Sequence, residues 1–421
     1  MNDLLPDVLG DLTRRRQELT DLLARLVQAH PIYESPGQDD ALRLAAEHLV
    51  GSGLDVQFSE ASLDVLMSSP LYVDVPAFGG DFESYGRVPR TALTATRVFD
   101  SPGCHVILNG HLDVEYVTAP GDWFEPGLWS SGAVRDGRIY GRGTSDMLGG
   151  VACYLHVLRS LAPHLDRAEG AVSVQLVLDE EIGGNGTLWQ LLRSQGAPAD
   201  LAIIAEPSDG VACARTRGFH QFKVVCFGAP VHMVFAREHD NAVRTAADVL
   251  RILEDLNCWI AEQFPGSDAR RFVLCGVIGG GTDAAVPAAR VELLVTLALP
   301  PEIAPHTVER RLSEALFALG LAKTPVIERY GLSFPGSATT DHRFADALNE
   351  AGRRTGLPVG HGEFPSACDA RLYDAFGVPV TVFGPGRLDR AHGSDEYVTL
   401  DELDDYCAVL AASLMHLWGI E

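Results

Sequence analysis

The chain has 421 residues, 46% of them hydrophobic and 21% charged, enough to bury a sizeable core and to suit two domains. Its 33 basic and 57 acidic residues give a formal net charge of −24. That balance excludes nucleic acid and anionic membrane surfaces as partners, because both need basic patches.

Leu19, Leu22, Leu23, Leu26 and Val27 recur at helical spacing, which predicts an amphipathic helix over 4–29 ending before Pro31. A second helix opens at Asp39 and Asp40 and stops at the glycines of 51–53. A short strand follows near 54–58, and 62–100 is irregular, with room for a strand pair. His105–Asn109 (HVILN) reads as a buried strand that runs into Gly110-His111-Leu112-Asp113. Next comes GRGTSDMLGG, 141–150, in which glycines flank Asp146 just before a helix. Taken alone, Asp146 reads as an N-cap.

Val172–Leu178 predicts another strand, ending in Asp179-Glu180-Glu181, and Leu201–Ala205 a third, ending in Glu206. Val378–Phe383 is a fourth, followed by Gly384-Pro385-Gly386 and then His392. Helical patterns over 147–163, 187–196, 341–354 and 400–418 separate these strands. Such alternation predicts an α/β fold with a mostly parallel sheet covered by helices. Between about 212 and 322 the pattern becomes strand, helix, strand, strand, helix (217–227, 241–263, 271–278, 290–299, 307–319), an inserted α+β unit. The expected organisation is a first catalytic part over 1–212, the insert over 213–323 and a second catalytic part over 324–421.

Ligands of parallel sheets gather beyond the carboxyl ends of the strands. There the sequence puts His111, Asp146, Glu181, Glu206 and His392, a donor set that suits zinc or a similar divalent ion, and two ions if they share a carboxylate. Asp113, two residues from His111, can accept a hydrogen bond from the ring nitrogen left free. Glu180 diverges from Glu181 and can face the open coordination position as a proton carrier.

In order, GHLDVEY, YGRGTSDMLGG, DEEIGGNGT, IIAEPSD and AHGSDEY resemble the di-zinc amidohydrolase family of acetylornithine deacetylase, succinyl-diaminopimelate desuccinylase, carboxypeptidase G and aminoacylase-1. The resemblance covers nearly the whole chain. It implies a zinc-exopeptidase-like catalytic domain with a ferredoxin-like lid that forms a homodimer. It implies that His111 and Glu206 bind one metal, Glu181 and His392 the other, and that Asp146 bridges them. Glu180 would be the general base, Asp113 the partner of His111, and the peptide after Asp146 would be cis. His232, in Gly228-Ala229-Pro230-Val231-His232, would reach a partner subunit's site and help hold the oxyanion, though taken alone it reads as a surface histidine at a strand end. The cofactor would be two zinc ions, with cobalt or manganese as alternatives.

The departures from the family pattern touch the substrate. Leu148 stands where lysine is usual, Ala284 and Leu297 align with polar lid positions, and the GGTSD segment is Pro365-Ser366-Ala367-Cys368-Asp369. Arg371 and Arg217 remain as candidate clamps for a substrate carboxylate. The expected activity is cleavage of the amide bond of a small N-acyl amino acid or dipeptide-like molecule. The alternative is an amide-forming, cyclising or acyl-transfer enzyme that uses the same site. Scattered cysteines without a CxxC pair, no signal peptide and no bilayer-spanning apolar run make the cytoplasm the expected location.

Overall fold

The computed structural model describes residues 3–33, 35–74, 91–194, 199–264, 271–339 and 342–420. Three helices open the chain: α1 (Leu5–Arg14), α2 (Arg16–Ala29) and α3 (Gly37–Leu49). The single helix expected over 4–29 is therefore two, with a break at Arg15. Then come β1 (Asp55–Glu60), α4 (Leu63–Met67), β2 (Thr91–Val98), β3 (Ser101–His111), β4 (Ala133–Arg135), β5 (Arg138–Tyr140) and α5 (Leu148–Leu161). The first part closes with β6 (Glu169–Val177), α6 (Asn185–Arg193), β7 (Leu201–Ile204) and β8 (Val211–Thr216).

A smaller unit follows: β9 (Gly218–Phe227), α7 (Ala242–Gln263), β10 (Val273–Gly280), β11 (Arg290–Leu299), α8 (Pro305–Ala318) and β12 (Val326–Phe334). The chain ends with β13 (Ser337–Ala338), α9 (Arg343–Thr355), β14 (Gly360–Phe364), α10 (Ala370–Ala375), β15 (Val380–Val382), β16 (Tyr397–Thr399) and α11 (Leu400–Leu417). The short strand expected near 54–58 is β1; of the stretch 62–100, expected to have room for a strand pair, the described residues hold one strand, β2, which pairs with β1, and 75–90 lies outside the described residues.

The large sheet runs β1-β2-β6-β3-β7-β15-β8-β13, with β14 also on β8. Its centre, β6-β3-β7-β15, is parallel. These strands are short, almost wholly buried apolar runs, as expected where helices flank a sheet. α5 is buried on every side except at Arg159, because it packs on β3 and against α1, α2, α3 and α11.

The small sheet runs β10-β11-β9-β12, all antiparallel, with its own apolar core under α7 and α8. Strand order and connections make it a ferredoxin-like β-α-β-β-α-β unit. Pairing moves both expected seams. β8 joins the large sheet through β13, β14 and β15, so the first seam falls at Arg217 and not at 212. β12 pairs with β9, so the small sheet runs to Phe334, beyond 323.

Gly150 lies where α5 meets the end of β7: a Cβ there would stand 2.4 Å from the Ala205 carbonyl oxygen. Gly150→Ala should destabilise the protein by about 1–3 kcal/mol. The urea unfolding midpoint checks this, with Gly121→Ala, which meets nothing within 4 Å, expected to leave it unmoved.

Candidate metal centre

The carboxyl ends of β3, β6, β7 and β15 open into one crevice, and each delivers its loop there. His111 is the last residue of β3. Glu180 and Glu181 follow β6 in a tight turn, closed by the Gly183 N–H on the Glu180 carbonyl at 3.0 Å and the Gly184 N–H on the Asp179 carbonyl at 2.7 Å. Gly184 has φ 74°, and a Cβ there would stand 2.1 Å from Asp369 Oδ1. Glu206 follows β7, and His392 lies on the loop between β15 and β16.

Asp146 precedes α5 but does not cap it, since the N-cap is Met147 and no side chain caps that end. The Asp146–Met147 peptide is cis. The two carboxylate oxygens face different imidazoles: Oδ1 lies 3.3 Å from His111 Nε2, and Oδ2 lies 3.3 Å from His392 Nε2. His111 Nε2 lies 3.7 Å from Glu206 Oε1, and His392 Nε2 lies 3.2 Å from Glu181 Oε2. Glu206, His111, Asp146, His392 and Glu181 thus form a continuous chain of contacts with Asp146 at its middle. Glu180 adjoins the His111–Glu206 half, where ligand atoms of the three residues lie within 4.8 Å of one another.

Asp113 acts differently from the expectation. Its backbone carbonyl, at 2.8 Å, accepts from His111 Nδ1, while its carboxylate stands off at 3.7 Å. That carboxylate instead accepts the backbone N–H groups of Glu180 at 3.4 Å and Glu181 at 3.2 Å. One buried residue therefore fixes the ring of His111 through its backbone carbonyl and the turn that carries both glutamates through its carboxylate.

Two functional neighbours escaped the sequence reading. Arg142 and Glu396 form a fully buried ion pair at 2.7 Å. Glu396 Oε1 accepts the N–H groups of Gly143, Ser145 and Asp146 at 3.1, 3.0 and 3.2 Å, and Arg142 donates to the His392 carbonyl at 3.0 Å. The pair grips the Asp146 loop and the His392 loop together. Its only sequence signal is that both residues lie inside motifs, GRGTSD and GSDEY.

The electrostatics call for cations. Asp146, Glu180, Glu181 and Glu206 share the crevice, and Glu181 Oε1 and Glu206 Oε1 are buried without a hydrogen-bond partner. Burial, then neighbouring carboxylates, hold Glu206 well above the usual carboxylate range. Burial does the same for Glu180, with Asp369, Glu181 and Asp146 adding to it against the opposing field of His111. Burial pushes Glu181 up to about 7. For His392 burial opposes protonation, but hydrogen bonds to Asp146 and Glu181 overcome it and take the ring up to about 11. Burial also opposes a charged Asp146, yet the two histidines hold its carboxyl far below the usual range. Two divalent ions would balance four carboxylates and occupy the orphaned oxygens, so the residues present fit such a pair.

The remaining candidates lie elsewhere. Arg217 is buried, donates to Glu363 at 3.1 Å and lies over the Phe272 ring. Arg371 is buried, donates to the Gly183 carbonyl at 2.7 Å and sits 4.1 Å from the centre of the Phe334 ring. Neither lines the cavity over the crevice. Leu297 is fully buried in the core of the small unit. His232 does not line the cavity either; it lies beside exposed Met233, Val234 and Phe235.

Fold and crevice together define a metal-dependent hydrolase. The chain belongs to peptidase family M20/M25/M40, whose model matches residues 107–416. It is 27% identical to a succinyl-diaminopimelate desuccinylase from Halorhodospira halophila, over 73% of this chain and 82% of that one. It is 25% identical to an N-formyl-4-amino-5-aminomethyl-2-methylpyrimidine deformylase from Halalkalibacterium halodurans, over 97% and 96%. Human carnosine dipeptidase 1 shares the fold with a TM-score of 0.73 at 16% identity, each chain covered to 99%. A dinuclear metal-binding M20 peptidase from Bacillus subtilis does so with a TM-score of 0.60 at 15% identity, over 96% and 99%. The chain is thus an M20-family hydrolase that acts on amide bonds. Among the described residues, no helix is long and apolar enough to cross a membrane.

Glu396→Ala should cost about 3–5 kcal/mol by stranding a buried guanidinium, and the double variant Arg142→Met with Glu396→Leu should recover part of that. Urea unfolding midpoints of the three proteins check both expectations.

Proposed function

We propose that the chain is a two-metal amidohydrolase that cleaves the amide bond of a small N-acyl amine, N-acyl amino acid or dipeptide-like molecule. One observation carries this reading: Asp146 presents one oxygen to His111 and the other to His392, and each imidazole has its own glutamate. In this reading His111 and Glu206 would hold one ion and Glu181 and His392 the second, with Asp146 shared between them. When bound, the ions supply an acidified water and a polarised carbonyl. Zinc suits two imidazoles and three carboxylates, as do cobalt and manganese.

Glu180 lies in the cavity wall beside Glu181 and Glu206, placed to take a proton from the attacking water and return it to the leaving nitrogen. Asp113 positions both ends of this machinery through its carbonyl and its carboxylate. The small unit serves as a lid and as the surface of a homodimer. Exposed Met233, Val234, Phe235, Leu274, Val277 and Ile278 on that unit support the dimer. Across it, His232 would donate to the developing oxyanion. The relatives' names support acyl removal, since a desuccinylase and a deformylase both cleave an acyl group from nitrogen.

Elemental analysis should find two metal ions per chain, falling to about one in His392→Ala, and chelation should abolish turnover until zinc is restored. Glu180→Gln should keep both ions and lower kcat by about 10²–10⁴. Full turnover in that variant would remove Glu180 as the base. His232→Ala should lower kcat by about 10²–10³ while sedimentation still shows a dimer.

A further inference from the structure

We infer, on the amidohydrolase reading above, that the substrate carries an aromatic ring and a positive charge beside its amide bond and bears no carboxylate. The crevice opens into a cavity of about 600 Å³ between the two units. Phe219, Tyr330, Leu332 and Phe334 come from the small unit, and Ile182 and Phe364 from the large one. The rings of Phe219 and Phe334 lie 6.3 Å apart and 28° from parallel. Arg371, 4.1 Å from the Phe334 ring centre, packs on it from the protein interior. A wall of this kind favours a flat ring, through stacking or edge contacts.

Charge selects further. Among the described residues, the lining holds no lysine or arginine. Arg217 and Arg371, the two arginines offered by the sequence as clamps, donate to Glu363 and to the Gly183 carbonyl. Gln221 is spent as well: its oxygen accepts the Leu332 N–H at 2.8 Å, and its nitrogen donates to Thr296 at 3.3 Å. Of the five acids in the lining, Asp146, Glu180, Glu181 and Glu206 belong to the metal centre and its base. The fifth, Glu115, makes no ion pair among the described residues. It leaves one uncompensated carboxylate in an aromatic cavity. An ammonium or amidine on the substrate would meet Glu115 and the ring faces, whereas a substrate carboxylate would find no lysine or arginine among the described residues of the lining.

The test uses the zinc-loaded full chain with three probes: N-acetyl-p-xylylenediamine, N-benzylacetamide and N-succinylglutamate. The expected kcat/KM is highest for the first, about ten-fold lower for the second and at least ten-fold lower again for the third. Glu115→Gln should draw the ratio of the first to the second toward one. Calorimetry with p-methylbenzylammonium and with glutarate provides a readout without turnover, and the ammonium should bind at least ten-fold tighter. Preferred hydrolysis of N-succinylglutamate, or equal binding of the two calorimetric probes, overturns this substrate class and leaves the amidohydrolase reading standing. Hydrolysis of no probe by a protein that binds the ammonium tightly overturns the amidohydrolase reading and leaves the cavity's selectivity standing.

Discussion

Asp146 stands between two imidazoles, one on each oxygen, with a glutamate beyond each ring. The rest of the structure follows from the difficulty of keeping so many acids together out of water. Four carboxylates in one crevice repel one another, and burial adds a desolvation cost to each. The protein tolerates this only by locking the loops that carry them. Asp113 holds the Glu180–Glu181 turn by its backbone, and Glu396 holds the Asp146 loop by three amide donors. Carboxylates used as backbone clamps are partnered and harmless, whereas those aimed into the crevice are left wanting a cation.

The parallel sheet makes the convergence possible. Four adjacent strands, β6, β3, β7 and β15, end at the same edge, so residues scattered from 111 to 392 become neighbours without any one segment carrying a complete site. The small ferredoxin-like unit leaves the large sheet after β8 and returns before β13, which sets β9 and β12 over the crevice. Its contribution is therefore apolar and aromatic, drawn from strand residues such as Phe219 and Phe334. The clustered histidines and carboxylates come from one unit, and much of the cavity's apolar wall comes from the other.

Much of this was legible in the sequence. Short apolar runs ending in His111, Glu181 and Glu206 gave the strands and the edge where ligands gather, because buried parallel strands have a distinctive composition. The seams were not legible. VACART and VIERYGLSF are ambiguous strands, and only hydrogen-bond pairing assigns β8 to the large sheet and β12 to the small one. Arg142 and Glu396 carried no such signal, since nothing in a linear chain reveals that residues 254 apart form a buried pair. The partners of Arg217 and Arg371 were equally hidden: Arg217 lies over the Phe272 ring and donates to Glu363, and Arg371 lies over the Phe334 ring and donates to the Gly183 carbonyl. Asp113 shows a subtler limit: the residue was identifiable, but which of its oxygens faces the imidazole depends on backbone geometry.

The grip of Glu396 on residues 143–146 also bears on how the molecule is made. The ribosome releases the Asp146 loop some 250 residues before the acid that fixes it. His392 arrives just ahead of that acid. A nascent chain therefore carries the Asp146 loop without its anchor and without one of its two imidazoles. The contacts of Asp146 with both imidazoles therefore form only after His392 has been made, and the loop is anchored only once Glu396 follows.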